Sequence, residues 1–290
     1  MHVVEPKNFS KSSSKEKYRR KMPLMIGILF IVIALTFVLF RSDRTGAPAL
    51  EKVDSSTPPA VDGTVEPEEV TDTESAELRM FTDNEFNAFY NNLLQPNLER
   101  VENPPFITGD DVADTRIRQI AENRGYRLRA SPSNELIRVD GYLLHDVVQK
   151  PWEALQAAAA AEGHNISIVS GYRSVEDQRQ LFVQRLQAAG ATIQSVARGD
   201  SDAIVNTVLI TSSIPGYSKH HTGYTIDLLC AGFAFENFEN STCNGWLIAD
   251  NYKVAKEYGF IPSYPPEADA QGPDPEAWEY VYVGRELLYQ

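Results

Sequence analysis

Apolar residues fall into three regimes along the chain. From Pro23 to Phe40, eighteen residues run without a charge. At about 1.5 Å per residue such a helix is about 27 Å long, close to one bilayer core. From 41 to 77 large apolar residues thin out, and runs such as Asp54-Ser55-Ser56-Thr57-Pro58-Pro59 and Glu66-Pro67-Glu68-Glu69 take over. A segment of that composition buries too little surface to order itself, which predicts a disordered, extended linker. From Leu78 onward the apolar positions become periodic, and folded structure is expected to begin there.

In the periodic part, Thr82-Asp83-Asn84-Glu85 is a helix start, with Phe86, Phe89, Tyr90 and Leu93 at helical spacing. Asp114 to Asn123 predicts a second helix with Ile117, Ile120 and Ala121 inward, closed by Gly125. Leu136–Val139 and Tyr142–Leu144 predict two short strands about the hairpin turn Asp140-Gly141. A helix from Pro151 to Ala161 and a strand from Ile166 to Ser170 follow. Val175 to Ala189 predicts another helix, whereas Ala203 to Leu209 suits a helix or a strand equally. Thr225 to Leu229 is β-branched and apolar, as in a buried strand. An amphipathic helix is expected from Trp246 to Tyr258, then Gly259, a proline-rich loop, and a closing strand within Glu276–Gly284.

Charge sharpens the first regime. Of 27 basic and 40 acidic residues, seven and two respectively precede Phe40, so the remainder carries a net charge of −18. The seven basic residues all lie in 1–22, which predicts a cytoplasmic basic tail before a membrane anchor at 23–40. No small-residue cleavage site follows the apolar run, since Phe37-Val38-Leu39-Phe40 is bulky. An uncleaved anchor is therefore expected rather than a removed signal peptide. The acidic remainder argues against nucleic acid as a partner. Cys230 and Cys243 are the only cysteines. Outside the cytoplasm such a pair is expected to form a disulfide.

The candidate chemistry centres on Ser218-Lys219-His220-His221-Thr222-Gly223-Tyr224-Thr225-Ile226-Asp227. An imidazole and a carboxylate both suit zinc. Their spacing fits a loop turning at Gly223 into a strand. Taken alone, the same residues also fit a polar loop with a capping aspartate. Arg173 follows the strand Ile166–Ser170 and can offer a planar fork to a carboxylate, or pair with a neighbouring acid.

Three ordered stretches carry a resemblance. They are Ser170-Gly171-Tyr172-Arg173-Ser174 with Gln178, Ser218-x-His220-x-x-Gly223-x-x-x-Asp227, and Glu276-x-Trp278-x-Tyr280-x-Tyr282-Val283-Gly284. Together they resemble the VanY-type D-alanyl-D-alanine carboxypeptidases of the LAS zinc-peptidase superfamily, over roughly 131–290. Residues 78–130 would be a helical N-terminal extension outside it. The resemblance implies an α+β fold in which a small antiparallel sheet with flanking helices holds zinc. It implies His220 and Asp227 as zinc ligands, and Glu276 as the general base for the attacking water. Arg173 would hold the substrate carboxylate or the developing oxyanion, and Ser218 and Gln178 would line the substrate site. The implied substrate is the peptidoglycan stem peptide, losing its terminal D-alanine.

One position departs from the family pattern. The family places a histidine just after the tryptophan, and this chain has Glu279 there. The five histidines are His2, His145, His164, His220 and His221, so none lies downstream to replace it. Glu279 could ligate zinc itself, giving a His-Asp-Glu set. Otherwise the chain is a cell-wall-binding or regulatory relative without catalysis; an endopeptidase cutting cross-links is a further alternative. In a straight strand Glu276 and Glu279 face opposite ways, so both reaching one metal requires an irregular strand start. The charge pattern generates one prediction. A reporter fused after Gln290 should function only outside the cytoplasm, and activity of a cytoplasm-only reporter there would refute the topology.

Overall fold

The computed structural model describes residues 77–290. The basic tail, the expected membrane helix at 23–40 and the linker up to residue 76 lie outside the described residues. Among the described residues no helix is long and apolar enough to cross a membrane.

Helix α1 (Asp83–Asn92) begins where its capping box places it. The Thr82 hydroxyl accepts from the Glu85 amide, and the Glu85 carboxylate accepts from the Thr82 amide. After strand β1 (Leu98–Glu99), helix α2 (Asp111–Asn123) is capped by Asp110. Strand β2 (Ser131–Pro132) pairs with β1. Strands β3 (Ile137–Val139) and β4 (Tyr142–Leu144) form the expected hairpin. Asp140 and Gly141 both take positive φ, 49° and 90°, the geometry a two-residue hairpin turn requires. Helix α3 (Asp146–Ala161) starts five residues before Pro151, which lies inside it. The proline removes one helical donor, and Val147, whose carbonyl that donor would have met, is an exposed residue. The Trp152 indole donates to Asp140 at 2.7 Å, tying the helix to the hairpin turn.

The central sheet has four antiparallel strands in the order β5-β6-β8-β7. They are β5 (Ile166–Ser170), β6 (Thr225–Cys230), β7 (Phe260–Tyr264) and β8 (Glu276–Tyr282). Between β5 and β6 lie α4 (Val175–Ala188), α5 (Ile193–Arg198) and α6 (Asp202–Leu209). The ambiguous Ala203–Leu209 stretch is thus helical. β7 falls where the sequence suggested a loop, because Pro262 reads as a strand breaker. At the sheet's edge the missing N–H faces no partner strand, and a proline is tolerated.

Two cores result. Trp152 and Leu155 of α3 pack with Ile168, Ile226, Leu228, Ile261 and Val281 of the sheet, and with Phe81, Phe86 and Tyr90 of the N-terminal segment. Ile117 and Ala121 of α2 pack with Phe182, Leu186, Val205 and Leu209. Residues 78–130 therefore contribute to both cores.

Helix α7 (Thr242–Glu257) is not the continuous helix its periodicity suggests. Ala249 is extended, and Asp250, Asn251 and Tyr252 take positive φ of 50°, 58° and 60°. Three consecutive left-handed residues are costly and need tertiary support. The Asn251 side chain supplies it: its amide donates to the Phe81 carbonyl at 2.7 Å, and its oxygen accepts from the Phe81 amide at 3.0 Å. Cys230, ending β6, is disulfide-bonded to Cys243 in the first turn of α7, with Cα atoms 5.8 Å apart. Replacing both cysteines by serine should lower stability to urea unfolding by about 3 kcal/mol, from the entropy of the short closed loop. An unchanged midpoint would show that the bridge adds nothing to the folded state.

Candidate metal centre

The site grows from cross-strand register. Ser170 of β5 pairs with Asp227 of β6, and Asp227 pairs with Glu279 of β8. Directly opposed residues lie on one face with their Cβ atoms about 5 Å apart. Two carboxylates are thereby held side by side, both buried. A short 3-10 turn (Lys219–Thr222) leads into β6, capped by the Ser218 hydroxyl, which accepts from the His220 amide at 3.3 Å. Gly223 closes the turn at φ 74°; a Cβ there would meet Leu136 at 3.0 Å and His145 at 3.2 Å. The turn places His220 over the carboxylates, its Nε2 being 3.4 Å from Asp227 Oδ1 and 3.3 Å from Glu279 Oε2.

Second contacts set the imidazole's orientation. His220 Nδ1 lies 2.6 Å from the Gly171 carbonyl and donates to it, which leaves Nε2 directed at the two acids. The Ser263 hydroxyl donates to Glu279 Oε1 at 2.6 Å, leaving Oε2 for the same point. Asp227 Oδ1 is buried and accepts no hydrogen bond among the described residues. Burial opposes charge on His220, yet Asp227 and Glu279 hold its pKa up at about 9. Burial alone would raise Glu279, but His220, Ser263 and Glu276 hold it down near 2. The site therefore calls for a positive charge between the carboxylates. His220, Asp227 and Glu279 each bring one ligand atom within 4.8 Å of the others. One imidazole, two carboxylates and an orphaned carboxylate oxygen fit a divalent cation.

Glu276 joins them through an irregularity. Pro262 pairs with Tyr280, but Tyr264 pairs with Glu276, so Ser263 alone opposes Ala277, Trp278 and Glu279. The register is irregular at this point, and Glu276 lies close enough to Glu279 and Asp227 for their charges to act on it. Burial first, then the neighbouring Glu279 and Asp227 charges, raise Glu276 well above the usual carboxylate range, while Arg173 acts to lower it. Arg173 donates to Gln178 Oε1 at 2.9 Å and to the Ser170 hydroxyl at 3.3 Å. Among the described residues it makes no ion pair, so its charge is held by neutral acceptors. Gln178 is buried, and its amide nitrogen donates to the Ser213 carbonyl at 2.6 Å. Gln178 thus orients Arg173, and Ser218 caps the turn that carries His220.

Sequence reasoning did not single out Ser263, Lys219 or His221. Ser263 lay in the unassigned strand. His221 is buried, donates from Nδ1 to the Arg173 carbonyl at 2.7 Å, and accepts at Nε2 from the Gly216 amide at 3.0 Å. It therefore links the His220 turn to the Arg173 loop, and only as a neutral ring. Burial pushes its pKa down to about 4.

A sequence profile for VanY, D-alanyl-D-alanine carboxypeptidase, matches residues 141–285, which is 145 of 290 residues, half the chain. YodJ of Bacillus subtilis (strain 168), whose name provisionally assigns it as a carboxypeptidase, is 30% identical over 177 residues, 56% of this chain and 59% of that protein. A D-alanyl-D-alanine carboxypeptidase of Enterococcus faecalis (strain ATCC 700802 / V583) is 31% identical over 136 residues, 44% of each chain. The chain spans about half the length of these curated relatives. A crystal structure of the vancomycin-resistance D,D-pentapeptidase VanY from a VanB-type cassette, in complex with Zn(II), is 25% identical. It covers 56% of this chain and 86% of that one, at a TM-score of 0.42.

The neutral role of His221 fixes the sign of a pH effect. Its folded pKa lies below the unfolded value near 6.5. The unfolded chain then binds a proton first as pH falls, and stability is lost between about 6.5 and 4. Relative to His221→Gln, wild type should lose up to about 3 kcal/mol across that window in urea unfolding. Parallel pH profiles for the two proteins would refute the assignment.

Proposed function

The chain belongs to the VanY D-alanyl-D-alanine carboxypeptidase family, and from that premise we propose that it is a zinc-dependent carboxypeptidase removing the terminal D-alanine of peptidoglycan stem peptides. The observation that carries this reading is the convergence of His220, Asp227 and Glu279 on one point, with Glu276 and Arg173 beside it. His220 Nε2, one oxygen of Asp227 and Glu279 Oε2 would hold the ion. Zinc in such a site supplies Lewis acidity, polarising the peptide carbonyl and making a water molecule a better acid. Glu276 is the general base: a carboxyl pushed upward by burial and like charge accepts a proton near neutral pH. It then returns that proton to the departing D-alanine nitrogen. Arg173, without an ionic partner among the described residues and braced by Gln178 and Ser170, presents its planar fork to the substrate carboxylate or the developing oxyanion. The uncharged, apolar run at 23–40 and the acidic remainder of the chain support a membrane-anchored enzyme acting outside the cytoplasm.

Glu279 sets the reading apart from a non-catalytic wall-binding relative. Two carboxylate ligands neutralise a divalent ion and weaken its acidifying effect, which favours the rival. Zinc content and D-alanine release separate them. Glu276→Gln should keep zinc and lose about 10²–10⁴-fold in turnover. Glu279→Ala should lose zinc and activity together, and Glu279→His should bind zinc at least as tightly as wild type. Wild type with neither metal nor activity, beside a Glu279→His protein that gains both, would overturn the enzyme reading. Zinc retained in Glu279→Ala would show that Glu279 is not a required ligand.

A further inference from the structure

Lys219 is buried, one residue before His220. Its Nζ lies 4.0 Å from the Tyr264 ring centre and 4.4 Å from the Tyr90 ring centre. The Arg129 guanidinium lies over the same Tyr90 ring at 5.2 Å. Nζ donates to the main-chain carbonyl of Ser263. Ser263 is the residue that stands alone opposite three residues of β8, and its hydroxyl donates to Glu279 Oε1 at 2.6 Å. A buried lysine is expensive unless its surroundings are built to receive it. Two aromatic faces and a carbonyl receive this one. Tyr90 belongs to α1 and lies outside the family match at 141–285.

We propose that Lys219 is a positioning residue which, clamped between Tyr90 and Tyr264, anchors Ser263 opposite the β8 bulge and so holds Glu279 with Oε2 turned toward His220 and the metal. The proposal rests on the reading that His220, Asp227 and Glu279 bind zinc. Glutamate has one more side-chain torsion than aspartate, and a ligating glutamate needs its second oxygen tethered. Ser263 is that tether, and on the edge strand, opposite the β8 bulge, its place is held by what grips its main chain. The N-terminal segment then has a part at the site: α1 supplies the ring that closes the lysine's pocket.

The sign of one measurement decides the matter. A lysine that merely sat near the site would repel a divalent ion, so its removal would tighten binding. A lysine that positions a ligand does the opposite. Zinc affinity of the full chain, measured by competition with a chromophoric chelator, should weaken about 10–100-fold in Lys219→Met, as for other partners of metal ligands. Ser263→Ala should weaken it similarly. In Lys219→Met/Ser263→Ala the two losses should not add, because both act through one tether. Tyr90→Leu provides a variant that leaves Lys219 in place, and should also weaken zinc. Unchanged or tighter zinc binding in Lys219→Met, or additive losses in the double variant, would overturn the proposal while leaving the metal reading intact. If Lys219→Met does not fold, Ser263→Ala and Tyr90→Leu decide it by the same criterion. Failure of wild type to bind zinc would instead defeat the metal reading, and this proposal with it.

Discussion

Asp227 and Glu279 lie opposite each other on adjacent strands, buried, and with their free oxygens turned to one imidazole nitrogen. Two carboxylates at that separation in a low-dielectric interior repel unless a positive charge lies between them. The remaining architecture makes this arrangement persist. The Gly171 carbonyl takes one imidazole N–H, the Ser263 hydroxyl takes one oxygen of Glu279, and Glu276 lies beside both acids at an irregular stretch of β8. A site built this way is selective for a cation before any substrate arrives.

The same electrostatics distinguishes the two adjacent histidines. His220 faces carboxylates and is held up near 9; His221 faces a carbonyl and an amide and is pushed down to about 4. One residue of separation on a 3-10 turn points the rings in different directions, so each meets a different field. His220 then points Nε2 at the two acids, while His221 is a neutral strut between Gly216 and the Arg173 main chain. Arg173 keeps its charge available because its partners, Gln178 and Ser170, are neutral.

The segment preceding the family match is integral to the folded part. Phe81, Phe86 and Tyr90 share the core of the central sheet, and the Asn251 clamp on Phe81 stabilises the left-handed turn inside α7. The C-terminus closes on the same segment, with Leu78 bridging Tyr289 and the Gln290 amide donating to Glu77. Removing the segment would expose the sheet's apolar face and open the pocket around Lys219.

Much of the fold was legible in the sequence because it is written in local chemistry. The capping box at Thr82 and Glu85, the Asp140-Gly141 turn, the apolar run of β6 and the His220–Asp227 spacing each depend on neighbours a few residues apart. The ordered motifs likewise contain His220 and Asp227, whose ligand atoms the fold brings together with that of Glu279. Other features were decided only by tertiary structure. Pro262 reads as a breaker until the sheet order makes β7 an edge, where its missing donor costs nothing. α7 reads as one helix until Asn251 finds Phe81, 170 residues away, and supports a left-handed turn. Glu276 and Glu279, three residues apart, should face opposite ways in a regular strand. Whether both reach one point depends on the register of β8 against β7, set by contacts between strands, and strand spacing in sequence cannot encode a bulge that only the partner strand defines.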